Sequence, residues 1–157
     1  MSIFSALPKH SYVLLAIGEI DFRLETGIIA HKKEFPKKQF KEIILTAVEN
    51  YFIYIVGYNS DCQHKVISQG VPYPNIDIEG RSQKDIKQLV EVIKIFNYKL
   101  KVRSKEKGFK FLDTYLLSTT GDGLSTGFWH IDDYHLSPEG MQEAWRRYSA
   151  ENSYEQC

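Results

Sequence analysis

The chain has 157 residues, 43% of them hydrophobic and 25% charged, which is enough for one globular domain with a sizeable core. Lys plus Arg and Asp plus Glu balance at 20 each, so no overall field favours nucleic acid or an anionic membrane. No apolar run approaches the roughly 20 residues of a membrane helix. The two cysteines, Cys62 and Cys157, give no disulfide framework and suit a reducing compartment. We therefore expect a cytoplasmic protein that binds neither nucleic acid nor membrane.

Short apolar runs alternate with longer helical segments along the first half of the chain. Tyr12 to Ile17 ends at Gly18 and predicts a strand buried on both faces. After a polar stretch from Glu25 to Glu34, Pro36 opens a predicted helix. Lys65 to Val71 predicts a second strand, which prolines then break because they cannot donate to a ladder. The predicted apolar positions of the first helix are Phe40, Ile43, Ile44, Ala47, Val48, Tyr51, Tyr54 and Ile55.

The same alternation continues beyond residue 80. Ser82, with Asp85 three residues later, predicts the cap of a second helix. Its apolar face carries Ile86, Leu89, Val90, Ile93 and Phe96. The basic stretch Lys99 to Lys110 indicates the solvated end of this helix and the turn after it. Phe109 to Leu112 predicts a third strand, and an irregular segment follows to Tyr134.

The last predicted helix has a clear start. Ser137 caps it, Pro138 takes its first position, and the residues from Ala150 form a disordered tail. Three strands that alternate with three helices predict an α/β fold, a three-layer, flavodoxin-like parallel sheet with helices on both faces. We expect the chain to form a single domain over residues 1–157.

One short segment ahead of the last helix carries chemistry, Asp132-Asp133-Tyr134-His135. A carboxylate beside a histidine fixes the tautomer of the ring and stabilises the imidazolium, so this spacing predicts a general base with its orienting group. In parallel sheets, ligands bind beyond the carboxyl ends of the strands, where Gly18 to Arg23, Gly70 to Tyr73 and Asp113 to His135 all emerge. The topology therefore groups Asp132 and His135 with the residues after the first strand.

These motifs resemble two blocks of the SGNH, or GDSL-type, hydrolases. Asp132 and His135 match the D-x-x-H block of the family, and Gly18-Glu19-Ile20-Asp21-Phe22-Arg23 matches part of its G-x-N-D block. Ile20 stands where the family has an asparagine that donates to the oxyanion. The resemblance covers residues 10–149, and the G-D-S block that carries the nucleophilic serine has no counterpart. The chain therefore resembles a partial domain without the first strands of the family fold.

The resemblance implies an esterase or acyl hydrolase that works through a serine acyl-enzyme, without a cofactor or a metal. His135 is then the catalytic base and Asp132 its orienting group. Gly18, Asp21 and Arg23 line the substrate and oxyanion region. The implied substrate is a small ester or an acylated carbohydrate, with Trp129, Tyr134 and Phe22 offering either aromatic surface for it or core packing. In the family topology the first strand here is central, so its open edge predicts a second copy of the chain or an N-terminal partner.

Several alternatives stay open at this point. Asp132 and His135 can instead stabilise the turn before the last helix, and Gly18 can serve helix-strand packing. The fold can also survive as an inactive pseudohydrolase or binding module. His130 and His135, with the carboxylates between them, are a lesser alternative as a metal cluster, because they lack the spacing of an H-E-x-x-H site. Cys62 near His64 is a weaker nucleophile candidate, and the loop from residue 118 to 127 is a candidate lid.

Overall fold

The computed structural model describes residues 4–18, 22, 26–76, 82–119, 125 and 127–153. After a single 3-10 turn, Phe4–Ala6, the elements follow in chain order. They are β1 (Tyr12–Ala16), α1 (Ile28–Glu34), α2 (Phe40–Asn59), β2 (Lys65–Gln69), α3 (Gln83–Glu106), β3 (Lys110–Leu112), α4 (Thr114–Ser118) and α5 (Pro138–Ser153).

The three strands form one parallel sheet in the order β1-β2-β3. Tyr12 pairs with Lys65 at one end of the β1-β2 register, and Ile67 pairs with Lys110 between β2 and β3. Helices cover both faces, so the predicted α/β fold with a parallel sheet is confirmed. Within the described chain β2 is the central strand, and no strand lies on the other edge of β1.

The prediction that β1 is buried on both faces is wrong. Val13 is buried, but the alternate residues Tyr12 and Leu14 are 71% and 36% exposed. On this face of the sheet, α5 packs against Ile67 of β2 and Leu112 of β3 but does not reach β1. An apolar strand whose outer face meets solvent marks a place where covering structure is absent from the described residues.

The opposite face of the sheet carries the main core. Leu89, Ile93 and Phe96 of α3 are fully buried between the sheet and α2, and Phe22 meets the Phe96 ring edge-on with centroids 5.0 Å apart. The predicted apolar face of α3 is confirmed except at Val90, which is only half-buried, whereas Val92 is buried in the core. That of α2 is wrong in one position, because Tyr54 is 64% exposed and stacks on Tyr58.

The first helices begin elsewhere than the sequence predicts. α2 starts at Phe40 rather than at Pro36, with a capping box in which the Gln39 and Glu42 side chains each accept from the other residue's backbone. The stretch before it, predicted as merely polar, contains α1, whose first two residues, Ile28 and Ile29, are buried in the core. Tertiary burial of these two residues outweighs the polar remainder of the segment.

Later boundaries follow the sequence more closely. Ser82 caps α3 by accepting from the Asp85 N–H at 3.1 Å, and Ser137 caps α5 by accepting from the Gly140 N–H at 3.1 Å. The segment predicted as irregular after β3 contains the short helix α4, capped by Asp113. α5 continues to Ser153, beyond its predicted end, and residues 154–157 lie outside the described part. None of the described helices combines the length and apolar character needed to cross a lipid bilayer.

Side chains hold the segment that leaves β2 towards the carboxyl edge. Asn97 of α3 is buried and pairs with Val71 twice, accepting from its N–H at 2.8 Å and donating to its carbonyl at 2.7 Å. Thr114 donates to the Gly70 carbonyl, and the Tyr73 N–H donates to Ser118 Oγ at 2.8 Å. These side chains satisfy buried backbone groups that have left the sheet ladder.

Replacing Asn97 with alanine should lower the free energy of unfolding by about 2–4 kcal/mol, because both backbone groups of Val71 lose their buried partner. Urea unfolding followed by circular dichroism measures the change. Lys94→Ala, at an exposed position one turn earlier on the same helix, should stay within about 0.5 kcal/mol of wild type. Equal losses in the two variants would contradict the anchoring role of Asn97.

Candidate active site

The two residues of the D-x-x-H motif are in direct contact. Asp132 Oδ2 lies 2.7 Å from His135 Nδ1. The other carboxylate oxygen, Oδ1, accepts from the backbone N–H of Tyr134 at 2.8 Å and from that of His135 at 2.7 Å. One carboxylate thus shapes the turn and orients the ring, the arrangement that a general base requires.

The hydrogen bonds to Asp132 also set its charge. Partial desolvation alone would raise the pKa of this carboxyl. The Tyr134 N–H and the ring and N–H of His135 outweigh that effect and lower the pKa to about 2. Asp132 is therefore ionised at neutral pH and favours the proton on the facing Nδ1 of His135, which leaves the lone pair of a neutral ring on Nε2.

Backbone hydrogen bonds fix the loop that carries this pair. Ile131 N–H donates to the His135 carbonyl at 3.0 Å, and Ser137 N–H donates to the Trp129 carbonyl at 2.7 Å. A third bond, from Asn75 N–H to the Asp133 carbonyl at 2.8 Å, ties the loop to the segment after β2. The loop is held at both of its ends and near its tip.

His135 borders a cavity at the carboxyl edge of the sheet. The cavity has a volume of about 240 Å³ and lies between the ends of β1 and β2 and the start of α5. Its lining is Ala16, Ile17, Gln69, Gly70, Val71, Pro72, Tyr134, His135, Leu136 and Met141. A larger groove of about 670 Å³ lies at the opposite, amino end of the strands and contains neither Asp132 nor His135. We take the smaller cavity as the site because His135, which Asp132 orients, lines it.

Gly18 lies against the core, and its predicted place in the substrate and oxyanion region stays a prediction. Gly18 is buried with a φ of +100°, and a Cβ at this position would lie 2.6 Å from the Phe96 ring. Phe22 is likewise buried against Phe96, so it offers no aromatic surface to a ligand. The other two predicted substrate residues, Asp21 and Arg23, lie outside the described residues.

A contact that the sequence does not predict lies on the same loop. His130 Nδ1 is 2.9 Å from Ser125 Oγ, and the Gly127 N–H donates to the same oxygen at 2.9 Å. Burial lowers the pKa of His130, against smaller opposing effects of a Tyr73 backbone group and of the Asp132 charge. Five residues separate the two partners in a loop without regular periodicity, so no sequence pattern relates them.

The other predicted chemistries find little support in the described part of the chain. Nowhere in it do three His, Cys, Asp or Glu side chains gather in a way that could hold a metal ion. His130 Nδ1 contacts Ser125, and His135 Nδ1 contacts Asp132. Cys62 is buried, and His64 Nε2 donates to the Phe4 carbonyl at 2.9 Å beyond the amino end of β2.

Solved structures share this fold over most of the chain. A GDSL-like lipase from Bacteroides thetaiotaomicron aligns with 91% of this chain and 63% of its own, at a TM-score of 0.60 and 17% identity. The OSK domain of Drosophila Oskar aligns with 89% of this chain and 61% of its own, at a TM-score of 0.53 and 16% identity. The chain thus spans less than two thirds of each. An acetyl-xylooligosaccharide esterase from Geobacillus aligns at a TM-score of 0.46, too low to support an argument.

Sequence comparisons add no closer relative. No protein-family profile matches the chain, and no curated protein matches it. The structural likeness is below 25% identity, so it shows the fold and not the motifs. The chain has an α/β fold like that of the GDSL-like lipase. Its own three-stranded parallel sheet is flanked by helices.

Gly18→Ala should destabilise the protein by about 2 kcal/mol or more, since alanine is strained at this φ and its methyl group meets Phe96. Gly57→Ala is the matched control. Its Cβ would meet nothing within 4 Å on α2, so the variant should be more stable by about 0.5–1 kcal/mol. Chemical unfolding of both variants measures the contrast. A neutral Gly18→Ala would show that the packing argument is wrong.

The low pKa of Asp132 predicts that the free energy of unfolding decreases at acidic pH. Its folded-state pKa is about 2 and the unfolded value is about 3.9, so its contribution is present above about pH 4 and is lost as the pH falls towards 2. Asp132→Asn lacks this contribution and should lose less unfolding free energy than wild type between pH 5 and pH 2. Urea midpoints at several pH values measure it.

Glu143→Gln separates this effect from the rest of the acid response. Hydrogen bonds from Arg146 and Arg147 lower the pKa of Glu143 to about 2 as well. Glu143→Gln should therefore also reduce the loss of unfolding free energy between pH 5 and pH 2. The reductions in the two variants should be additive, because the two carboxylates act independently. An Asp132→Asn curve parallel to that of wild type would show that the carboxylate contributes nothing to folding.

Proposed function

We propose that the chain carries the general-base half of an ester hydrolase site. The observation that supports this most directly is the 2.7 Å contact between Asp132 Oδ2 and His135 Nδ1 beside a cavity at the carboxyl edge of the sheet. The backbone N–H groups that also bind Asp132 hold the pair in one geometry without a substrate. Such preorganisation is what general-base catalysis requires.

In the proposed reaction, His135 Nε2 removes the proton from a serine hydroxyl, and the serine oxygen attacks the ester carbonyl. Asp132 stabilises the imidazolium, which then protonates the departing alcohol. Water repeats the cycle on the acyl-enzyme. Because Ile20 replaces the side-chain donor of the resembled family, backbone N–H groups are left to stabilise the oxyanion.

The nucleophile is proposed to come from a segment beside β1. No strand of the described part covers that edge, and Tyr12 and Leu14 leave the adjoining face exposed. A further strand parallel to β1 would end next to the His135 cavity, since carboxyl ends of parallel strands share one edge. This chain aligns with only 63% and 61% of its two structural neighbours, so each of them has further chain beyond the matched part, in line with an added segment here. An N-terminal partner segment supplies both the strand and a helix. A second copy of the chain pairs with the edge of β1 but brings no strand that ends in a nucleophile beside the cavity.

The proposed substrate is a small ester or an acylated carbohydrate. The cavity of about 240 Å³ suits a short acyl group, and Tyr134 supplies an aromatic wall. Trp129 is half-buried and packs with the α5 cluster, so it borders the loop rather than the cavity. The fold neighbours include a protein described as a lipase, which agrees with ester chemistry at the level of fold.

The test supplies the missing strand. The full chain is co-expressed with the serine-bearing first strand and helix of a GDSL-like lipase, and the purified complex is assayed with p-nitrophenyl acetate and butyrate. We expect hydrolysis that falls by about 10²- to 10⁴-fold in His135→Gln, because the base is lost. Asp132→Asn should lower kcat by a comparable factor, because the ring loses its orienting group.

A matched control removes a histidine from elsewhere in the chain. His10 lies before β1 at the amino end of the sheet, and His10→Gln should leave kcat unchanged. Full activity of a complex that contains His135→Gln would refute the assignment of the base. A complex that forms and folds without any ester hydrolysis would favour a binding role for the fold.

A further inference from the structure

A serine and a histidine that belong to no part of the proposed site meet on the same loop. Ser125 Oγ lies 2.9 Å from His130 Nδ1, and the Gly127 N–H donates to the same oxygen at 2.9 Å. The Ser125 N–H in turn donates to the Pro74 carbonyl at 3.4 Å, and His130 N–H donates to the Gly127 carbonyl at 3.0 Å. Ser125 is only partly buried.

The direction of the hydrogen bond follows from the surroundings of the ring. Burial lowers the pKa of His130, so the imidazole is neutral at pH 7 and carries one proton. The Gly127 N–H fills one acceptor position of Ser125 Oγ, and the hydroxyl proton is left to point at Nδ1. A Tyr73 backbone group favours a proton on the ring, although buried Nε2 has no partner of normal hydrogen-bond geometry in the described part.

Other serines of the chain show a different arrangement. Ser11, Ser60 and Ser104 donate their hydroxyl protons to the backbone carbonyls of Pro8, Gly57 and Leu100. A carbonyl oxygen holds such a proton but cannot remove it, whereas a neutral imidazole nitrogen can. The Ser125 hydroxyl is thus placed for activation in a way that these three are not.

We propose that Ser125 is a second nucleophile and that His130 activates it. In the chain as it stands, Ser125 accepts an acyl or phosphonyl group from a small activated ester. This inference does not rest on the proposed function, because it requires neither His135 nor an added strand. Asp132 lies close enough for its charge to favour the protonated His130 ring, so it would stabilise the imidazolium formed in the reaction.

The step balances as an ordinary acyl transfer. The bond from Ser125 Oγ to the acyl carbon forms while the hydroxyl proton passes to His130 Nδ1. The bond from the acyl carbon to the leaving oxygen breaks, and the leaving alcohol takes the proton from Nδ1. With an alkyl fluorophosphonate the new bond is between Oγ and phosphorus, and the proton leaves with fluoride.

The experiment treats the purified, folded chain with an alkyl fluorophosphonate and follows intact mass over time, with chymotrypsin in a parallel tube to show that the reagent is active. We expect one adduct per chain, located on Ser125 by peptide mapping. Ser125→Ala should abolish it, and His130→Gln should slow its formation by about 100-fold or more. Ser60→Ala removes an exposed hydroxyl at the C-terminal end of α2, and this variant should be labelled at the wild-type rate. Near-ultraviolet circular dichroism checks that each variant is folded.

The outcomes separate the two sites. A Ser125 adduct that requires His130 supports the inference, whatever the co-expressed complex does. A folded chain that forms no adduct overturns it and leaves the proposed function to its own assay. An adduct on another serine, or one lost in His135→Gln and kept in His130→Gln, also overturns it and assigns the reactivity to the Asp132–His135 site.

Discussion

The carboxylate of Asp132 is the constraint on which the candidate site depends. It accepts two backbone N–H groups through Oδ1 and the His135 ring through Oδ2, so one side chain determines both the path of the turn and the direction of the imidazole. The same bonds keep the carboxyl ionised and half-exposed. Asp132 therefore stays charged without a buried ion pair. The desolvation penalty of burying such a pair can exceed the free energy that its attraction returns.

The sheet explains why this pair lies beside a cavity and not in a closed core. α5 covers Ile67 and Leu112, while Tyr12 and Leu14 remain open on the neighbouring strand. The cavity at His135 sits where the covered half of the sheet meets the uncovered half. An element that covered β1, as proposed above, would therefore also form a wall of the site.

Much of the fold could be predicted because its signals are local. Ser82 and the hydrophobic repeat of α3 fix that helix, and runs of apolar residues separated by helices predict a parallel sheet. What could not be predicted depends on tertiary neighbours. Tyr54 fits the helical repeat but lies beyond the flank that α3 covers, and α1 is stabilised only by burial of its first turn. The contact of Ser125 with His130 is set by the loop path, for which no periodic pattern exists.

Within the candidate site, the contact inside the local motif could be predicted from the sequence, whereas the packing of the longer block could not. Asp132 and His135 are three residues apart in a turn, so backbone geometry alone brings them together. The block after β1 depends on tertiary packing, in which Gly18 leaves room for the Phe96 ring. The same loop presents two histidines in unlike settings: His135 is exposed against a carboxylate, and His130 is partly buried against a hydroxyl. Histidines whose surroundings differ in this way are suited to different roles, which agrees with the two separate proposals for His135 and His130.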